Sequence, residues 1–189
     1  MRRLAERLMR MKKLLPWCLL IFGILNLGYW AHLTLKAKVS QARGAYSLDH
    51  PGVRTSSPSV GAVVGRLEIP RLKLSTVVFE GDDEDVLERG AGHLANSALP
   101  GERGNAVLAA HRDTFFRPLR GVRVGDRVHL HGALKDSVYI VQSARVVQPD
   151  EVEVLKPTRE PVLTLITCYP FRYIGPAPER FVVRAVLAP

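Results

Sequence analysis

Three side chains in the C-terminal half could together carry nucleophilic acyl chemistry: Cys168, His111 and Arg180. Cys168 follows an apolar, β-branched run, Val162 to Thr167, that reads as a buried strand. Pro170, two residues on, ends the ladder and turns the chain away. A thiol there can meet substrate while its backbone stays fixed. The thiolate is the nucleophile, and a histidine is the natural group to take and return a proton. His111 stands in Ala109-Ala110-His111-Arg112-Asp113, where the apolar run Ala106 to Ala110 ends. Arg180 stands in Ala177-Pro178-Glu179-Arg180-Phe181, ahead of a third run. Its planar, permanently charged fork suits an oxyanion or a substrate backbone better than lysine would. Arg184 is its rival, at an even offset on the same strand and hence on the same face.

Other polar residues near these positions each allow two roles. Thr167 either donates a hydroxyl near the oxyanion or is a strand threonine satisfied in the core. His93, after Gly90-Ala91-Gly92, either shapes a loop or lines a substrate groove. Asp113 either orients the His111 imidazole or caps the helical turn that follows it. His129 and His131 share a strand face, but no third Cys, Asp or Glu accompanies them, so no metal site is expected. The acids Asp82 to Asp85 and Glu88 lack a calcium-loop pattern and fit helix-dipole complementation instead. Cys18 lies in an apolar stretch on the other side of the membrane interface from Cys168, so the two are not expected to pair.

The formal net charge of +9 would suggest nucleic acid if it were spread over a folded face. Residues 1–13 carry +5 and residues 36–54 carry +3, which leaves +1 for everything else. No nucleic-acid partner is therefore expected. The tail charge goes with Leu14 to Leu35, 22 residues without Asp, Glu, Lys or Arg. As a helix this stretch spans about 33 Å, enough for a bilayer core. Trp17, Tyr29 and Trp30 sit near its ends, where amphipathic rings prefer the interface. The basic residues ahead of it predict a cytoplasmic N-terminus and an extracytoplasmic C-terminal domain. The stretch is longer than a signal-peptide core and lacks a clean small-x-small site after it, so an uncleaved anchor is expected.

These features divide the chain into a basic cytoplasmic tail (1–13), a transmembrane anchor (14–35), a flexible tether (36–62) and a folded domain (63–189). The tether is rich in Gly, Ser, Pro and Thr and shows no sustained period. The domain is predicted to be mainly β. Strands are read over Val63 to Ile69, Leu72 to Phe79, Ala106 to Ala110, Arg127 to His131, Ser137 to Val147, Val162 to Thr167 and Phe181 to Leu187. A short helix is read over Asp82 to Arg89 and a helical turn over Phe115 to Leu119. Such short, evenly spaced strands imply a closed or sandwich-like fold.

Five blocks, in order, resemble the sortases, and most closely their class D branch. They are Arg66-Leu67-Glu68-Ile69-Pro70, Gly92-His93-Leu94, Leu99-Pro100-Gly101-Glu102-Arg103-Gly104-Asn105, His111-Arg112-Asp113-Thr114-Phe115-Phe116-Arg117-Pro118-Leu119, and the cysteine strand with Ala177-Pro178-Glu179-Arg180-Phe181. The resemblance implies an eight-stranded β-barrel with short connecting helices after one transmembrane helix. It implies a cysteine transpeptidase with Cys168, His111 and Arg180 as catalytic residues, and it implies no cofactor. The expected substrates are proteins with a C-terminal signal similar to Leu-Pro-x-Thr-Gly. The expected acceptor is an amine of a cell-wall peptide or of a pilin lysine, and the expected location is a bacterial cytoplasmic membrane. The same triad with water as acceptor would be a thiol hydrolase.

Overall fold

The protein forms two compact units, Met1–Lys38 and Val39–Pro189. The structure, a computed structural model, describes residues 2–49, 58–132 and 135–189. Helix α1 (Arg2–Asp49) begins in the first unit. Its segment Leu15–Leu48 is long and apolar enough to cross a membrane, and Trp17, Phe22, Ile24 and Leu27 along it are exposed rather than packed. Two of its polar side chains bond back to the helix. Asn26 donates to the Phe22 carbonyl at 2.7 Å and Thr34 to the Trp30 carbonyl at 2.9 Å, as apolar surroundings would demand.

Residues 36–49, expected as the first part of a tether that continues the helix for at most a turn or two, are helical throughout; residues 50–57 lie outside the described residues. The last turns of α1 belong to the second unit and are fixed by contact there. The Gln41 carbonyl accepts the Val77 N–H at 2.8 Å, while its amide donates to the Arg89 carbonyl at 2.7 Å. Gly44 makes this approach possible, since a Cβ there would come within 2.7 Å of Val77 Cγ1. One side chain thus bridges the backbone at Val77 and at Arg89.

The second unit is a closed barrel of eight strands: β1 (Val63–Ile69), β2 (Leu74–Glu80), β3 (Ala91–His93), β4 (Asn105–Ala109), β5 (Arg127–Gly132), β6 (Asp136–Val147), β7 (Val162–Tyr169) and β8 (Glu179–Leu187). Around the wall the order is β1-β2-β3-β4-β7-β8-β6-β5. The β2–β3 and β4–β7 pairs are parallel and the rest antiparallel. Closure leaves no sheet edge. Strand β3 escapes sequence reading because three residues are too few to show a period of two.

Alternation along the strands fills the interior. Leu67 and Ile69, Leu108, Val128 and Leu130, Tyr139 and Val141, Leu163 and Leu165, and Val183 and Ala185 share one core. Phe116 and Leu119, both fully buried, join this core from the 3₁₀ turn region Arg117–Gly121. Strand β2 is buried on both faces, because Val77 and Phe79 form a second cluster with Val86 of α2 (Glu84–Arg89). Asp83 caps α2 by accepting the Val86 N–H at 3.0 Å, so the acids here do serve the helix start.

Two polar contacts secure the shell. The Arg71 guanidinium forks the Asp126 carboxylate and also donates to the Gly121 carbonyl. That fork, helped by the Arg123 N–H and opposed by burial, holds the Asp126 carboxyl below the usual carboxylate range. The buried Tyr139 hydroxyl accepts the Gly101 N–H at 2.7 Å. Burial raises its pKa, with that bond pulling the other way.

Candidate active site

Parallel pairing of β4 with β7 sets two strand ends at the same rim. The register matches Ala109 with Ile166, and the Ala110 N–H continues the ladder to the Ile166 carbonyl at 3.3 Å. Carried on by one residue, the register sets Ala110 beside Thr167. The Thr167 hydroxyl donates to the Ala110 carbonyl at 2.7 Å. This bond joins the residue before His111 to the residue before Cys168. Of the two roles open for Thr167, the structure supplies the partner of the structural one: its hydroxyl is buried and spent.

The strand carrying the thiol extends to Tyr169, two residues beyond the sequence reading. Cys168 is therefore held in the ladder, where it pairs directly with Arg180 of β8. Directly opposed residues on antiparallel strands point to the same face, with Cβ atoms about 4.5–5.5 Å apart. That face is the outer one, because Leu163, Leu165, Val183 and Ala185 occupy the core. Arg184 shares the outer face but pairs with Thr164, four residues from the thiol. Arg180 is thus the arginine opposite Cys168. Its Nη1 donates to the carbonyls of Ala177 at 3.2 Å and Glu179 at 3.0 Å. These bonds orient the fork, and among the described residues its Nε and Nη2 make no further hydrogen bond.

His111 leaves β4 at the same rim. Its carbonyl accepts the Phe116 N–H at 3.1 Å, and the buried Phe116 ring anchors that short loop in the core. The imidazole is half-buried, and its Nε2 lies 3.8 Å from a Glu84 carboxylate oxygen. Glu84 is 77% exposed, so that pair contributes little. Asp113 is exposed, and its carboxylate makes no hydrogen bond or ion pair among the described residues. Neither role expected for it is supplied with a partner here.

His93 is buried and its ring nitrogens are both engaged. Nδ1 meets Glu80 Oε2 at 2.8 Å, and Nε2 meets the Ala98 carbonyl at 2.9 Å and Ser97 Oγ at 3.0 Å. A carbonyl only accepts, so Nε2 donates to Ala98. The structural role open for His93 is the one with partners. His131 meets Asp136 at 3.3 Å and Glu68 at 3.8 Å.

Arg112, next to His111, has a role that the sequence does not show. Its Nη2 donates to the carbonyls of Tyr173 and Gly175, each at 3.1 Å, and its guanidinium lies 5.7 Å from the Tyr173 ring centroid. The residue after His111 therefore ties down the loop between Cys168 and Arg180. Phe171 of that loop packs with Tyr169 and Phe181 at its ends, the Phe171 and Phe181 centroids 5.2 Å apart. The sequence signal for Arg112 was its adjacency to His111; its carbonyl partners lie about sixty residues away and were not legible.

A cysteine and an arginine paired across two strands, with a histidine delivered to the same rim by a third, make an arrangement able to perform cysteine acyl transfer on a closed β-barrel. A family model described as Sortase domain matches residues 67–188. Sortase D of Bacillus subtilis (strain 168) is 32% identical, over 92% of this chain and 97% of that protein. Sortase C from Clostridium perfringens SM101 matches with a TM-score of 0.63 at 30% identity, covering 84% of this chain and 90% of that one. The Sortase D5 transpeptidase of Clostridium perfringens matches with a TM-score of 0.68 over 82% of this chain and 99% of that one; at 24% identity this likeness is one of fold. The chain belongs to the sortase family, and as such it is a cysteine transpeptidase.

Proposed function

We propose that Cys168, His111 and Arg180 carry the transpeptidation, and that the substrate is a protein bearing a Leu-Pro-x-Thr-Gly-like sorting signal. The observation behind this reading is the register: Cys168 pairs with Arg180, and the bond from Thr167 to the Ala110 carbonyl draws His111 to the same rim. In the first half-reaction Cys168 Sγ attacks the threonyl carbonyl and the peptide C–N bond breaks. His111 protonates the departing amine, and the threonine stays behind as a thioester. In the second, an amine attacks the thioester, His111 takes its proton, and the thiolate leaves. Arg180 faces the carbonyl oxygen as charge collects on it.

Sortases of class C among the similar structures include one from a group B streptococcal pilus island. For this chain the acceptor is an amine of a cell-wall peptide or of a pilin lysine. The segment 14–35 anchors the enzyme in the cytoplasmic membrane of a bacterium, with 1–13 inside and the barrel outside, as the basic flank favours. Sorting would then attach proteins to the cell surface.

The test is incubation of the full chain in detergent with a Leu-Pro-x-Thr-Gly peptide library and excess amine, read by mass spectrometry beside Cys168→Ala. Amine-joined products ending at threonine, absent from the variant, are the expected result. Hydrolysis alone in the presence of amine would replace transpeptidation with the thiol-hydrolase reading. Joined products from the variant would remove Cys168 from the mechanism.

A further inference from the structure

The outer face of the barrel holds a pocket, four residues along β7 from Cys168, that the chemistry above leaves unused. Along β7, Thr164, Ile166 and Cys168 alternate with the core residues Leu163 and Leu165. Opposite them on β8 stand Arg184, Val182 and Arg180. Ser143 and Arg145 of β6 extend this face, and the 3₁₀ turn Val152–Leu155 lays Glu153 and Val154 against it. The pocket that these residues line, without Ile166, Cys168 or Arg180, holds about 120 Å³ and is partly open to solvent. Thr164 lies four residues from Cys168, or about 13 Å at the rise of a β-strand.

The charges of the pocket are not balanced within it. Arg145 pairs with Glu151 at 2.6 Å, and Glu153 pairs with Lys156 at 2.6 Å. The Thr164 hydroxyl is spent on Asn105 Oδ1 at 2.6 Å. Arg184 lines the pocket, is half-buried, and makes no hydrogen bond or ion pair among the described residues. One guanidinium therefore lines a partly apolar pocket unpaired among the described residues, since the carboxylate that shares the pocket, Glu153, meets Lys156 instead. A half-buried cation of this kind favours a carboxylate, and its fork favours a bidentate one.

We propose that this pocket reads an acidic side chain N-terminal to the sorting signal, with Arg184 holding its carboxylate. The inference rests on the transpeptidase reading and adds to it a substrate preference. Four of the five signal residues precede the cleaved bond, so what the enzyme retains lies on that side. An extended peptide with its threonyl carbonyl at Cys168 covers about 13 Å in four residues. The acid thus falls at the residue just before the leucine. Val154 and Val182 supply apolar surface for the stem of that side chain.

Binding separates this inference from the reading beneath it. The full Cys168→Ala chain in detergent is titrated with three fluorescent peptides that differ only at the residue before leucine, carrying Glu, Gln or Lys. The Glu peptide should bind roughly tenfold more tightly than the Gln peptide, with Lys weaker still and the spread shrinking at raised salt. Arg184→Glu should reverse the order of Glu and Lys. Equal affinities, or no binding by any of the three, would overturn the subsite, and the peptide series does so without relying on a variant. Wild-type enzyme that binds the Glu peptide but never cleaves it would instead overturn the transpeptidase reading and leave the subsite standing.

Discussion

Replacing Arg180 by alanine tests the part of the mechanism that the register singles out. Cys168 pairs with Arg180, whereas Arg184 pairs with Thr164. Loss of one oxyanion donor costs about 10²–10³ in rate. Arg180 is half-buried at the barrel surface, so solvent screens part of its effect and the lower end, about a hundredfold, is expected. That is about 2.7 kcal/mol of transition-state stabilisation. Arg180→Lys should recover only about tenfold of it. A lysine keeps the charge, but its single ammonium cannot bond the carbonyls of Ala177 and Glu179 and still aim a donor along the same line. The assay is the single-turnover rate of acyl-enzyme formation by mass spectrometry. The alkylation rate of Cys168 and the thermal midpoint serve as controls, and both should stay near wild type, since the side chain lies outside the core. Acylation by Arg180→Ala within about threefold of wild type would refute the assignment. So would a hundredfold loss in Arg184→Ala with Arg180→Ala unaffected.

Three further outcomes follow from contacts around the barrel. Thr167→Val strands the Ala110 carbonyl and should cost about 1–2 kcal/mol by chemical denaturation, with a loss of kcat/KM that Thr167→Ser restores. Gln41→Ala in the full chain frees the Val77 N–H and the Arg89 carbonyl and should lower barrel stability by about 1–2 kcal/mol in urea melts. Because Arg71 holds the Asp126 carboxyl below its ordinary value, the pair stabilises the fold above the unfolded carboxylate value, about pH 4, and that stability is lost as pH falls through the lowered folded value. Asp126→Asn should therefore melt lower than wild type near neutrality, and the gap should close on acidification. A gap that widens in acid would reverse the linkage.

Much of the barrel was legible because alternation marks strands wherever one face is buried. The runs over β1, β5, β6, β7 and β8 were read with errors of a few residues at their ends. Leu67 and Ile69, Val128 and Leu130, Tyr139 and Val141, Leu163 and Leu165, and Val183 and Ala185 are among their core positions, while Val138, Ile140 and Val146 of β6 lie outside the core. The three chemically apt residues were legible too, since a thiol, an imidazole and a guanidinium each stood at the end of such a run. How far α1 runs was not, because only a turn or two beyond Lys36 was expected, whereas its last turns meet β2 through Gln41 and Gly44, and no local pattern announces a side chain bonding backbone thirty-six residues away.

The sequence by itself determined which residues could react, that the domain is built of short strands, and that an apolar helix precedes the barrel. Those are properties of composition and of short-range period, and the chain carries them locally. Only the tertiary structure decided who stands opposite whom. It set Arg180 rather than Arg184 against Cys168, brought the Ala110 carbonyl to Thr167, buried His93 against Glu80, and left Arg184 facing an open pocket. Alternation says which side of a strand a residue takes; it does not say how far neighbouring strands have slid past each other. That offset is fixed by closing the barrel around one shared core, and the core is made by every strand at once.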